Sequence, residues 1–388
     1  MREGEGRALT LGSARSHFDG LGERAWLNCA HQSPLPNKAV AEAQAALGDK
    51  RSPWRIDDAD FAGVPDRLRR ALARLIGAPA EEIVLANSTS YGIELLARTL
   101  PFRRGDEVLL VDGDFPATVY PWLPLRERGV EVRMLRPEGL APTPDELAAA
   151  LSGSTRVFCS SWVFSFSGAT ADLDGLGSVC RDRGVWFVAN GSQAVGARPL
   201  DVSRVAIDAL VCAGFKWLCG PYATGFAWLR PELRDALTYA PAYWLTHQLA
   251  RPGGFERRPE YELAEVGAAS YDVFCTANFL NFRPWAASIE LLLEWGVDRI
   301  AAFDQRLIER LLDGLADAPV EVLSPRELPE RSTLVFVSHE GDGENQRLYE
   351  RLRAGGVDVA MRAGALRISP HFYNDERDID RALDELTG

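Results

Sequence analysis

Apolar residues along the chain follow two patterns that take turns. Short apolar runs of strand length, EEIVLANS (81–88), DEVLLVD (106–112), VEVRML (130–135), TRVFCSSWVF (155–164), VWFVAN (185–190), DALVCAG (208–214) and TGFAWL (224–229), are separated by stretches with helical spacing. Runs that are apolar at successive positions suit strands buried on both faces. Helical periodicity marks 38–50 and 64–76, the second with Pro65 near its first position and Gly77 at its stop, and recurs in TSYGIELLARTL, PWLPLRERG, TPDELAAAL and LDGLGSVCRDRG. The alternation predicts an α/β fold with a right-handed parallel or mixed sheet covered on both faces.

Residues 231–284 break this rhythm; they are rich in Pro, Arg and Tyr, and no element is predicted there. Beyond them, WAASIELLLEWGVDRIAAFDQRLIERLLDGLA reads as long amphipathic helical segments. STLVFVSH, VDVAMRA and ALRISP then read as strands, interleaved with helices at ENQRLYERLRAGG and DERDIDRALDELTG. A second, smaller α+β unit is expected. The expected organisation is an N-terminal, substrate-proximal arm over 1–60, a large domain over 61–260, an inter-domain and inter-subunit segment over 261–284 and a small domain over 285–388. No internal repeat or low-complexity segment interrupts it.

Composition narrows the class. With 46% hydrophobic and 25% charged residues in 388, the chain can build a large core without disulfide staples, and its net charge of −12 disfavours nonspecific capture of nucleic acid or an anionic membrane. There is no apolar run of about 18 residues, and MREGEGRALTLG at the N-terminus has neither an apolar h-region nor a small-residue cleavage site. A cytoplasmic protein with reduced thiols is expected. The six cysteines lack paired zinc spacing and the five histidines are scattered, so no metal is expected.

One count changes the picture. Of 43 basic side chains only Lys38, Lys50 and Lys216 are lysines, and a lysine kept where arginine is otherwise used points to amine chemistry, because arginine cannot be deprotonated. Lys38 and Lys50 sit in a polar helical stretch. Lys216 lies in AGFKWLCGP, where apolar neighbours disfavour the ammonium and make a better nucleophile. Two further loops fall at strand ends, where open α/β sheets bind ligands. Asn87-Ser88-Thr89-Ser90-Tyr91-Gly92 precedes a helix and is either a phosphate site or a simple cap; Asn190-Gly191-Ser192-Gln193 follows a strand as a turn or a polar anchor. A phosphate cradle, an amine and a polar group at a strand end together suit pyridoxal 5'-phosphate.

With these motifs in order, the chain resembles the class V aminotransferase family of pyridoxal-phosphate enzymes, which includes cysteine desulfurases, selenocysteine lyases and isopenicillin N epimerase-like proteins. The matching segments are WLNCAHQSPLP (26–36), NSTSYG, GDEVLLVDGDFP, NGSQAVGARPLDV, FKWLCGPYATGF, YDVFCTANF (271–279) and LRISPHFYN (366–374). It is also loosely similar to enzymes of lincosamide-type pathways that act on cysteine conjugates. The resemblance implies a fold type I architecture, with a large mixed, seven-stranded-type sheet domain and a smaller α+β C-terminal domain. It implies a homodimer in which 271–279 reaches across, and an amino acid as substrate. Lys216 is implied to attach the cofactor, Ser88 and Thr89 to hold its phosphate, Phe115 to stack on its ring, and Gln193 to approach its phenolic oxygen. Ser165 and a partner's Thr276 are further implied cofactor contacts. Arg367 is implied to grip the substrate α-carboxylate, with Asn28 and His31 nearby.

Departures from the family pattern guide the expected reaction. Asn190 stands where the family usually places an acid opposite the pyridine nitrogen, and a neutral amide weakens the ring as an electron sink. AMRAGALRIS (360–369) carries no cysteine for a persulfide, and Ala213 and Phe215 replace the usual Ser and His, while Ser165 replaces a common Asn. β-Elimination from a cysteine S-conjugate in an antibiotic-type biosynthetic pathway is the favoured expectation. Decarboxylative oxidation of such a conjugate, epimerisation, transamination and a catalytically silent cofactor-binding role are the alternatives.

Overall fold

The computed structural model describes residues 11–258 and 261–388; the ten N-terminal residues scanned for a leader lie outside the described residues. After β1 (Ala25–Trp26) come two helices, Asn37–Arg51 and Asp60–Ile76. The seven apolar runs then form β2 (Ile83–Ala86), β3 (Glu107–Val111), β4 (Glu131–Leu135), β5 (Thr155–Ser161), β6 (Trp186–Asn190), β7 (Ala209–Ala213) and β8 (Gly225–Leu229). They make one mixed sheet in the order β2-β8-β7-β6-β5-β3-β4. Strands β4, β3, β5, β6 and β7 are parallel, and β8 runs antiparallel to both of its neighbours. Both faces are buried because successive side chains enter different cores: Leu109 and Val111 pack on one side, Val108 and Leu110 on the other.

The strand order sets the site. Strand β2 is antiparallel to β8 and β8 to β7, so β2, β3, β5, β6 and β7 all end at the same edge of the sheet. Every loop flagged in the sequence as a candidate leaves from that edge.

The C-terminal part holds β9 (Glu321–Val322), β10 (Val335–Ser338), β11 (Val357–Asp358), β12 (Ala360–Arg362) and β13 (Ala365–Ile368). Four of them form an antiparallel sheet, β12-β13-β10-β9, while β11 pairs in parallel with β1. An isolated bridge from Asn28 to Ser369 continues that seam, so residues 25–28 are stitched to the C-terminal unit.

Three local expectations are corrected. The helix that was expected to start near Pro65 begins at Asp60, leaving the proline inside it; Asp60 closes the N-terminal turn by accepting from Asp57 N at 2.9 Å. Its stop is as expected, at Gly77 with φ +69°. PWLPLRERG lies in a 3-10 stretch, Tyr120–Arg128, because Pro121 and Pro124 each lack the N–H that an α-helix would use. Between 231 and 284 the chain forms short helices, Pro231–Asp235 and Trp244–Leu249, and 3-10 turns, Gly254–Glu256 and Gly267–Tyr271, each too short to leave a periodic pattern, and the long helix expected from Trp285 already begins at Phe279, with Pro284 inside it.

Candidate functional site

A cavity of about 450 Å³ opens at the shared edge of the large sheet and is roofed by the β12–β13 hairpin and residues 30–31. Its side chains include Lys216, Phe115, Ser165, Asn190, Gln193, Ser88, Thr89, His31 and Arg367, so nine of the eleven residues singled out in the sequence meet at one place. The other two do not line it. Asn28 is buried in the seam, with its amide 3.5 Å from Val359 O. Thr276 is 3.2 Å from the Tyr243 hydroxyl, on the wall of a separate depression of about 740 Å³.

The AGFKWLCGP segment closes on itself to present Lys216. Gly220 N donates to Gly214 O at 2.8 Å, and a Cβ on Gly220 would sit 2.5 Å from the Trp285 ring, which excludes any larger residue there. Lys216 emerges from this loop buried, its Nζ 5.2 Å from the centre of the Phe115 ring. Burial, and then the charge of Arg367, lower its pKa to about 8, so that roughly one amine in ten is neutral at pH 7. Trp217 fixes the next position: its Nε1 donates to Gln193 Oε1 at 2.9 Å and its carbonyl accepts from His371 Nε2 at 3.2 Å. Gln193 is further held by donating to Ala30 O (3.0 Å) and Ser165 Oγ (3.3 Å).

The NSTSYG loop caps the helix Thr89–Thr99, with Ser88 Oγ accepting from Tyr91 N at 3.1 Å. Capping does not remove it from the cavity, where Ser88, Thr89 and Ser90 all lie on the wall. Thr89 Oγ1 is 2.6 Å from Ser192 Oγ, which also accepts from Ala213 N at 3.1 Å. Hydroxyls and a helix N-terminus gathered in this way make an anion cradle.

Asn190, at the end of β6, donates through Nδ2 to Thr118 Oγ1 at 2.8 Å and accepts from Ser192 N at 3.0 Å through Oδ1. Behind it lies a carboxylate that sequence reading missed. Asp114 accepts from Ser161 Oγ (2.6 Å), Ser161 N (2.8 Å) and Phe115 N (2.6 Å). Burial pushes its pKa up, against the pull of those donors. Asp114 touches Asn190 only through the hydroxyls of Thr118 and Ser161.

Arg367 is buried on β13, with Nη1 3.4 Å from Ser165 O and Nε left without a partner. Burial and then the charge of Arg362 lower its pKa to about 10. Arg362, also missed in the sequence, lines the same cavity. The signal for it was present. A two-residue turn, Ala363-Gly364, with positive φ at both positions (50° and 83°), sets the register of the hairpin and pairs Ala360 with Arg367 and Arg362 with Ala365.

These residues fit pyridoxal phosphate on the structure's own terms. A hydroxyl cradle stands at one side, an unpaired amine beside an aromatic ring in the middle, and a buried guanidinium with a free N–H at the other. Among the described residues no Asp or Glu lines the cavity to repel an anionic ligand. No cysteine lines it either.

Comparison with known proteins is consistent with this arrangement. Residues 59–382 match the family model described as aminotransferase class V. Isopenicillin N epimerase of Streptomyces clavuligerus is 30% identical over 381 residues, 93% of this chain and 94% of that protein. A probable cysteine desulfurase of Methanothermobacter thermautotrophicus is 28% identical over 246 residues, 63% of this chain and 59% of the relative. Among solved structures, the cystine C-S lyase C-DES in complex with its reaction product cysteine persulfide superposes with a TM-score of 0.85 at 22% identity, covering 95% of this chain and 99% of that one.

Proposed function

The chain belongs to the class V aminotransferase family, and from that premise we propose that it is a lyase that breaks the C–S bond of a cysteine S-conjugate by β-elimination. It is a pyridoxal-phosphate-dependent enzyme. When bound, the cofactor withdraws electrons from the substrate's α-carbon. Lys216 would hold it covalently, Ser88, Thr89 and Ser192 would bind its phosphate, and Phe115 would cover its ring. Arg367 would bind the substrate α-carboxylate through its planar fork. The Lys216 amine would take the α-proton. Overall, a cysteine S-conjugate and water would give thiol, pyruvate and ammonium, with the electron pair of the C–S bond leaving on sulfur.

The observation that carries this reading is the amide of Asn190. Its two hydrogen bonds hold a neutral group at the position where the family resemblance puts an acid, so a ring placed there would lack a direct carboxylate partner. Reactions in which the electrons depart with a leaving group are then favoured over those that store them. The absence of a cysteine from the cavity wall separates this chain from persulfide-forming desulfurase chemistry. The fold shared with a cystine C-S lyase supports the reading; the 30% identity to an epimerase favours the second one, proton exchange at the α-carbon without loss of a group. Product analysis decides. Pyruvate and a thiol are expected from a cysteine S-conjugate, and loss of optical activity with neither product overturns elimination.

Asn190→Asp tests the argument more closely. A carboxylate there would pair with a ring-nitrogen proton, so a gain of amino transfer, read as keto acid release without thiol, is expected. An unchanged product ratio would remove the link from Asn190 to elimination.

Arg367→Ala should raise the apparent substrate constant by about 10- to 150-fold while cofactor content stays the same, since a charge-assisted contact is worth about 1.5–3 kcal/mol. Unchanged steady-state kinetics would assign the α-carboxylate to another group.

We also place the active enzyme in a homodimer. Tyr239, Trp244, Tyr261, Leu263, Phe274 and Leu280 are 45–96% exposed within one stretch of chain, and a partner subunit would remove such side chains from water. Such an interface would bring a partner's Thr276 towards the phosphate end of the cavity. Solution scattering should give twice the chain mass; an active monomer would refute it. Among the described residues no helix is long and apolar enough to cross a membrane, and the six unpaired cysteines support a cytoplasmic setting.

A further inference from the structure

The cavity carries more positive charge than one α-carboxylate requires. Lys216, Arg362 and Arg367 all line it, and among the described residues no acidic one does. Two of these have assigned work, Lys216 with the cofactor and Arg367 with the substrate α-carboxylate. Arg362 is left over.

The hairpin fixes where Arg362 stands. Because Ala360 faces Arg367 and Arg362 faces Ala365 across β12 and β13, both arginines project from the same face of the sheet as diagonal neighbours, about 7–8 Å apart at the backbone. They are close enough to serve one small ligand. Arg362 is half-buried; its Nη1 donates to Met361 O at 2.7 Å and its Nη2 lies 3.4 Å from His31 Nδ1. Among the described residues it has no carboxylate partner.

His31 adds a second donor at the same spot. Burial, then the charges of Arg362, Arg367 and Lys216, lower its pKa, which favours the neutral ring. A neutral ring that accepts from Arg362 through Nδ1 carries its hydrogen on Nε2. A guanidinium and an imidazole N–H on a cavity wall without acids recognise an anion.

We infer that Arg362 and His31 form a second anion subsite, and that the substrate is an amino acid with a second carboxylate or comparable anionic group beyond the bond that reacts. This rests on the reading of Arg367 as the α-carboxylate clamp. It makes the preferred conjugate one whose sulfur carries an acidic substituent.

The test uses the protein loaded with pyridoxal phosphate and unreactive carboxylates as probes, with binding measured by calorimetry. Succinate, glutarate and adipate are compared with butyrate, valerate and hexanoate. At least one dicarboxylate should bind about tenfold or more tightly than its monocarboxylate counterpart, as one added charge-assisted contact implies. Arg362→Gln should abolish that preference and leave monocarboxylate binding within about twofold of the wild type. Arg367→Gln should weaken both classes.

No preference for any dicarboxylate in the wild-type protein overturns the inference without recourse to a variant. So does an Arg362→Gln protein that loses mono- and dicarboxylates by the same factor, because both arginines would then hold one carboxylate. If Arg367→Gln binds monocarboxylates as the wild type does, the clamp reading itself fails, and the second subsite falls for that separate reason.

Discussion

Lys216→Ala is expected to abolish both activity and covalent attachment of the cofactor. Borohydride reduction of the wild-type protein loaded with pyridoxal phosphate should leave the label on the peptide that contains Lys216, and reduction of the variant should leave none. The other two lysines cannot substitute. Lys38 is exposed and paired with Glu294 at 2.8 Å, and Lys50 is exposed on the helix Asn37–Arg51. Loss of a lone amine from a site that depends on it removes the reaction itself, so the effect should reach the background rate. The variant should remain folded, because a buried amine without a carboxylate partner contributes desolvation cost and little pairing energy. A label recovered elsewhere, or residual turnover well above background, would show that another group carries the cofactor.

The second large effect is structural and lies just behind the lysine. His371 Nδ1 is 2.8 Å from Asp304 Oδ2, and both side chains are fully buried. His371 Nε2 donates to Trp217 O, and with Asp304 ionised the imidazole donates at both nitrogens; burial raises the pKa of the Asp304 carboxyl as the His371 charge lowers it. Burial alone would lower the His371 pKa, but the Asp304 charge and hydrogen bond outweigh that and raise it to about 9. The pair ties the helix Val297–Gly314 and the segment after β13 to the Lys216 loop. Removing one partner leaves the other charge buried and uncompensated, so Asp304→Ala should cost about 3–5 kcal/mol of stability.

The pH dependence has a definite sign. A histidine whose folded pKa is raised from 6.5 to about 9 contributes stability that is complete below its unfolded value and is lost as pH rises through about 9. Urea unfolding of the wild-type protein should therefore weaken between pH 7 and 9.5, and Asp304→Asn should flatten that decline. An equal decline in both proteins would show that the pair is not ionised in the folded state.

Much of the fold follows from local pattern. The seven core strands were legible because burial on both faces leaves them no alternate polar positions, and Lys216 stood out because arginine fills nearly every other basic position. The Ser88 cap and the Gly77 stop likewise announce themselves within a few residues of chain, whereas a role for Arg367 came only with the family resemblance. What was not legible has a common cause. Most of residues 231–278 form elements too short for a period to show, and the long helix that follows begins at Phe279 with Pro284 inside it. Asp114 looks like an ordinary turn acid until β3, β5 and β6 are laid side by side and its carboxylate is seen to reach Ser161.

By itself, then, the order of residues determined an α/β chain with a lysine among apolar neighbours and a run of hydroxyls before a helix, since each of these is a property of a short segment. Only the tertiary structure decided which segments share a cavity. It left Asn28 in a seam and Thr276 on another wall, brought Arg362 and His31 together across 331 positions of sequence, and paired Asp304 with His371 across 67. Those choices come from sheet order and hairpin register, which long-range packing sets and which a desolvated charge must satisfy wherever the chain happens to bring it.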